Sequence, residues 1–163
     1  MADDTEPFSP EPPPALCSER VLHYAVLDES VGYIAGHRLK SFDGEEMGKV
    51  PCLAICKGKE TTKFTTYCCE RDWEPLAVVS ASDTVETAKG RAERIYPGSS
   101  AKWIEAHFTE EDVIRYLDEI WANFQCSFCG KRMDRDRDIE SIVEARDGNA
   151  RICDKCIAEF SRK

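Results

Sequence analysis

Cys126-Ser-Phe-Cys-Gly130 and Ile152-Cys-Asp-Lys-Cys-Ile157 are the stretches that decide how this chain is read. Each holds a Cys-x-x-Cys pair, and 23 residues separate Cys129 from Cys153. A Cys-x-x-Cys turn sets two thiolates on one side of a tight knuckle. Two such knuckles supply the four sulfurs of a tetrahedral structural zinc site. Gly130 stands where a knuckle turn often needs a positive backbone angle. Cys126, Cys129, Cys153 and Cys156 are therefore the expected ligands of one zinc ion per chain. Four unrelated core cysteines would not come in two pairs of matched spacing.

The residues around these ligands carry a resemblance. Cys126-Ser-Phe-Cys-Gly-Lys131 and Ile152-Cys-Asp-Lys-Cys-Ile157 resemble the N-terminal zinc-binding domain of the ClpX unfoldase. The likeness covers residues 126–160. It differs in the loop Lys131–Arg151, which is several residues longer and carries Asp134-Arg-Asp-Arg-Asp138. No Gly-x-x-x-x-Gly-Lys-Ser/Thr loop occurs, so the AAA+ ATPase and its nucleotide site are not expected. The resemblance implies a treble-clef-like module that pairs with itself and docks partner or client proteins.

Outward from the cysteines, the chain has 163 residues, 42% hydrophobic and 33% charged, which are globular values. No apolar run approaches the ~18 residues of a membrane helix. The start, Met1-Ala-Asp-Asp-Thr-Glu6, is acidic and lacks the apolar centre of a signal peptide. Nine cysteines without an export signal favour metal binding and reduced thiols in a cytoplasmic setting. The net charge of -9 is uneven: residues 126–163 carry nine Lys/Arg and eight Asp/Glu, residues 1–125 thirteen against twenty-three. Phosphate backbones reward basic surfaces, so nucleic acid is not an expected partner.

Residues 1–19 hold five of the eight prolines and read as a disordered acidic tail. Residues 20–124 read as an α+β domain, and 125–163 as the zinc module. Strands are expected at Val21–Leu27, Val31–Leu39, Val50–Lys57, Lys63–Glu70 and Leu76–Ala81. Their close succession predicts an antiparallel sheet of about five strands. The period then becomes helical. One helix is expected over Thr84–Ile95, capped by Ser82 or Asp83. A second starts at Thr109, with Asp112 in a variant of the capping box. Its stripe Val113, Ile114, Leu117, Ile120, Trp121, Phe124 reads as core. In the module, the spacing of Ile139, Ile142 and Val143 predicts a helical face, and Ile157 and Phe160 a closing helix.

Other candidates read as structural. Cys52 and Cys56 share one face of a strand, while Cys68 and Cys69 point to opposite faces. Free cysteine packs as a small hydrophobe, so core packing is expected, with a redox role as the rival. His23, His37 and His107 form no catalytic pattern, and no nucleophile is recognisable. Lys131, Arg132, Arg151 and Lys155 are placed to offset the charge of about -2 that four thiolates leave on a divalent ion. Asp134–Asp138 reads as a solvated loop. The expected function is non-enzymatic: a zinc-binding protein–protein interaction protein and homodimer, without membrane attachment. A thiol–zinc redox switch is the alternative, and nucleic-acid binding the least favoured.

Overall fold

Eight short strands and three helices follow one another in the computed structural model, which describes residues 10–37 and 39–162. The chain divides into two compact units, Met1–Val113 and Ile114–Lys163. The first is a sheet covered on both faces. β1 (Ala15–Leu16), β2 (Glu19–Val26), β3 (Cys52–Lys57), β4 (Phe64–Cys69) and β5 (Pro75–Ser82) lie in the order of the sequence. Every pairing is antiparallel, as the short connections β1–β2, β3–β4 and β4–β5 require, while residues 27–51 form a long connection between β2 and β3.

β3 is the middle strand, and its residues Cys52–Cys56 are all buried. Alternation divides its side chains between two cores. Leu53 faces a cluster with Ala25, Cys68, Ala77 and, from α1 (Val85–Ile95), Ala92 and Ile95. The small Ala88 and Ala92 are fully buried and present no bulk where the helix is covered. Cys52, Ala54 and Cys56 face the other cluster, with Tyr24, Tyr67, Cys69 and Trp73. Cys52 and Cys56 thus share a face, and Cys68 and Cys69 divide between the two. Burial pushes the Cys52 thiol up to about 12 and Cys68 to about 11, and raises Cys56 and Cys69 as well. Such thiols stay protonated and pack as apolar groups.

Several elements differ from the sequence reading. Residues 1–9 of the expected tail, and residue 38 of the expected strand Val31–Leu39, lie outside the described residues. The sheet begins earlier than expected, because the Pro-rich segment runs into β1, where Leu16 is buried. The described part of Val31–Leu39 is no strand. Its amides serve α1 instead: Gly32 N–H donates to the Pro97 carbonyl at 2.8 Å and Ile34 N–H to that of Ile95 at 2.9 Å. The α1 cap is Thr84, neither Ser82 nor Asp83. Thr84 is extended and its Oγ1 accepts the Thr87 N–H at 3.0 Å, whereas Ser82 ends β5 and Asp83 pairs with Lys63.

After α1, Glu93 accepts the N–H groups of Gly98 at 2.8 Å and Ser100 at 2.7 Å, closing the turn Tyr96-Pro-Gly98. β6 (Ile104–Glu105) then pairs with β2. α2 (Glu110–Trp121) opens on a reciprocal box. Asp112 accepts the Thr109 N–H at 2.8 Å, and Thr109 Oγ1 accepts the Asp112 N–H at 3.1 Å. The division between the units falls within α2. Its apolar stripe is not the expected core: Val113 is buried, but Ile114, Ile120 and Phe124 are exposed.

In the second unit, β7 (Ile142–Glu144) and β8 (Arg151–Cys153) form a hairpin. The helix expected from Ile139, Ile142 and Val143 is absent. Gly148, at φ 71°, turns the chain back, and Ile142 pairs with Cys153 instead. α3 (Asp154–Phe160) is the expected closing helix. No helix among the described residues is long and apolar enough to cross a membrane.

Candidate metal centre

The first knuckle is built by local turn chemistry. Gly130 takes φ 74° and its N–H donates to the Cys126 carbonyl at 3.0 Å. The Cys126 N–H donates to the Lys131 carbonyl at 2.8 Å, and Gln125 Nε2 to that of Gly130 at 3.0 Å. A side chain at Gly130 would be strained in this conformation. The second knuckle is the junction of β8 and α3: Cys153 is the helix N-cap residue and Cys156 lies in its first turn. Asp154 steadies that junction by accepting the Glu140 N–H at 2.9 Å.

The knuckles are tied to each other by Ser127. Its N–H donates to the Arg151 carbonyl at 2.8 Å, and its Oγ accepts the Arg151 N–H at 2.9 Å. This link brings the four sulfurs within 4.8 Å of one another. Cys126 Sγ and Cys156 Sγ are 3.8 Å apart, as are Cys129 Sγ and Cys153 Sγ. A disulfide would need roughly 2.05 Å. Four sulfurs each about 2.3 Å from one ion at a tetrahedral centre stand roughly 3.8 Å apart. The cluster therefore fits a tetrahedral ion of the zinc class. All four sequence-predicted ligands are brought together, with Cys129 exposed and the other three buried.

Backbone amides meet the sulfur charge. The Cys153 N–H lies 3.4 Å from Cys126 Sγ. Burial pushes the Cys126 thiol up, but amides of Cys129, Cys153 and Phe128 outweigh it and bring it down to about 6. At Cys156 burial prevails, aided by the neighbouring sulfurs, and the thiol rises to about 12. Metal binding requires every thiol as thiolate, so loading the site releases protons. A closed four-thiolate shell leaves no coordination position for water or substrate.

All four flanking cations are shared with carboxylates, while Lys131 also feels the charge of Cys129. Each has a carboxylate partner: Lys131 pairs with Asp138, Arg132 with Asp134 and Asp118, Arg151 with Glu144, Lys155 with Asp154. Arg132 is buried. Its Nε and Nη2 grip Asp134 at 2.5 and 2.8 Å, and its Nη1 donates to Asp118 at 2.7 Å. Its own N–H donates to Asp136 at 2.8 Å. Part of the run read as a solvated loop is thus folded around a buried guanidinium. The sequence signal was Arg132 itself, a fork-shaped donor followed by alternating carboxylates.

The three histidines belong to the first unit and none is among the four clustered ligands. His23 is on β2, while His37 and His107 line two different cavities. No protein-family model matches the chain, and comparison with curated proteins and with solved structures likewise gives no match.

Proposed function

We propose that residues 125–163 are a ClpX-type zinc-binding module through which this protein dimerises and docks partner proteins, without catalysis. The observation that carries this reading is the aromatic surface beside the four sulfurs. Phe128 stands between the first two ligands, and Phe160 one helical turn beyond the last. Their rings meet edge to face, 5.5 Å between centroids. They are 60% and 52% exposed, and Ile157 is exposed as well. Apolar groups gathered at one place on a surface mark interaction sites. One ion shared by Cys129 and Cys156 holds Phe128 against α3, so the docking surface depends on the metal. A two-fold interface buries the same residues on both chains. The thiolate ligands call for a reducing compartment, and the cytoplasm is proposed on that ground.

Light scattering of zinc-loaded protein at micromolar concentration tests the dimer. A mass near twice 18.4 kDa, falling to the monomer in Phe160→Asp, is expected. A mass of 18.4 kDa throughout that range overturns self-pairing.

One observation favours a second reading, a thiol–zinc redox switch: Cys129 is the exposed ligand. There, one molecule of hydrogen peroxide takes two electrons from two thiolates. A disulfide forms, the peroxide takes up two protons to become two waters, and the ion leaves. A switch releases zinc at low peroxide in a dye assay, whereas a docking module holds it.

A further inference from the structure

A cavity of about 330 Å³ opens on the first unit, beside the last turns of α1. His37, Leu39, Val79, Arg91, Arg94 and Ile95 line it. Its chemistry runs against that of the surrounding chain. Residues 1–125 carry thirteen Lys/Arg against twenty-three Asp/Glu, yet this lining has two arginines, a histidine and no carboxylate. The remaining side chains, Leu39, Val79 and Ile95, are aliphatic. The cavity is open to solvent, with His37, Arg91 and Arg94 exposed and Ile95 buried; aliphatic groups beside a few convergent polar groups suit a small molecule.

Part of the structural duty expected of Arg94 is filled by other groups. A basic residue in the last turn of a helix commonly answers its unpaired carbonyls. Here the Ala92 carbonyl accepts the Tyr96 N–H at 2.7 Å and the Ile95 carbonyl accepts the Ile34 N–H at 2.9 Å. Glu93, the carboxylate next to Arg94 in sequence, is engaged by Gly98, Ser99 and Ser100. Arg94 has no hydrogen-bond or ion-pair partner among the described residues. Arg91 Nη1 donates to the Ala81 carbonyl at 2.8 Å, which anchors that guanidinium at the end of β5 and leaves its other N–H groups for a ligand. Asp83 feels Arg91 but is held by Lys63 and does not line the cavity.

We propose that this cavity binds a small organic anion, a carboxylate or phosphate monoester with a short apolar body. Arg91 and Arg94, one turn apart on α1, grip the oxygens. Arginine forks match planar or tetrahedral oxyanions better than point charges do. Leu39, Val79 and Ile95 cover the body. A second cavity gives an internal contrast: it is about 170 Å³ and carries Glu11 and Glu105 in its lining. That site repels what the first attracts.

Calorimetric titration of the full, zinc-loaded chain tests this with phenylphosphate, benzoate and inorganic phosphate. The two aromatic anions share one body, so their ranking tells which head group the site prefers. One-site saturable binding of at least one is expected, with inorganic phosphate about tenfold weaker for want of apolar contact. Arg94→Gln should weaken binding about tenfold or more. His37→Ala, on an exposed loop, should weaken it less. Circular dichroism checks that both variants keep their fold. The proposal is overturned if neither aromatic anion saturates at millimolar concentration. It is equally overturned if inorganic phosphate binds as tightly as phenylphosphate, or if both variants bind like the parent chain.

Discussion

The sheet unit and the cysteine unit of this chain hold together by different physics. In the first, both sheet faces are covered, and the fully buried side chains include Trp73, Tyr96, Leu53 and Ile55. Burying such side chains contributes about 1.5–3 kcal/mol each. In the second, the buried cluster is Cys126, Ile139, Cys153 and Cys156. Three of those four are candidate ligands, while Phe124, Phe128, Val143 and Phe160 stay exposed. A segment this small rarely buries an adequate core unaided. The contrast teaches that the same residue type does two jobs. Cysteines in β3 and β4 are core hydrophobes with raised thiol pKa values, and those in the knuckles take the place of a core.

Removing the metal should break the comparison most sharply. In small zinc domains, binding energy of about 10–16 kcal/mol is also the folding energy. Chelation, or Cys153→Ser, is expected to abolish amide protection over residues 126–160 and leave β3 and β4 protected in hydrogen exchange. Loss of protection in both units would mean that they share one core. Elemental analysis of freshly reduced protein should give one zinc per chain.

The converse experiment is Trp73→Ala. Trp73 is 2% exposed and packs edge to face on Tyr24, 5.7 Å between centroids. Its truncation should cost the sheet unit about 3–5 kcal/mol, read as a lower denaturation midpoint by tyrosine and tryptophan signals. Zinc stoichiometry should not change. A variant that also loses zinc would show the units to be coupled.

A smaller effect is expected at the buried ion pair. Arg132→Ala leaves the Asp134 carboxylate, whose side chain is 7% exposed, without its guanidinium. Breaking such a pair costs about 3 kcal/mol. Competition with a chelating dye should show faster zinc loss than in the parent chain. Arg132→Lys should recover part of that loss, since one ammonium cannot grip Asp134 in two places and reach Asp118.

The least effect belongs to Glu93. Amide donation, chiefly from Gly98, outweighs burial and holds its carboxyl at about 2, below the ordinary 4.5. A depressed carboxyl adds stability above its unfolded value and loses it as pH falls through the folded one. The sheet unit should therefore weaken between pH 4.5 and about 2. Glu93→Gln should flatten that part of the acid profile. An unchanged profile would place the acid sensitivity elsewhere.

Local spacing alone determined a good deal here: the two Cys-x-x-Cys knuckles, the hairpin of β3 and β4, β5, α1, the Thr109–Asp112 box and the closing helix. Each is written within a few residues, so its period or turn chemistry survives without knowledge of the rest. It also placed Cys52 and Cys56 on one face, since a strand alternates whatever surrounds it. Only tertiary structure decided where backbone groups with several possible partners go. The Val31–Leu39 stretch has the composition of a strand, but the end of α1 offers acceptors for Gly32 and Ile34. Ile142 and Val143 suit a helical face as well as a strand, and pairing with Cys153 and Ile152 selects the strand. The α2 stripe has core periodicity, yet periodicity specifies a face and not what covers it. Arg132 is buried where Asp118, Asp134 and Asp136 converge on it from two stretches of the chain, a meeting that sequence distance does not encode.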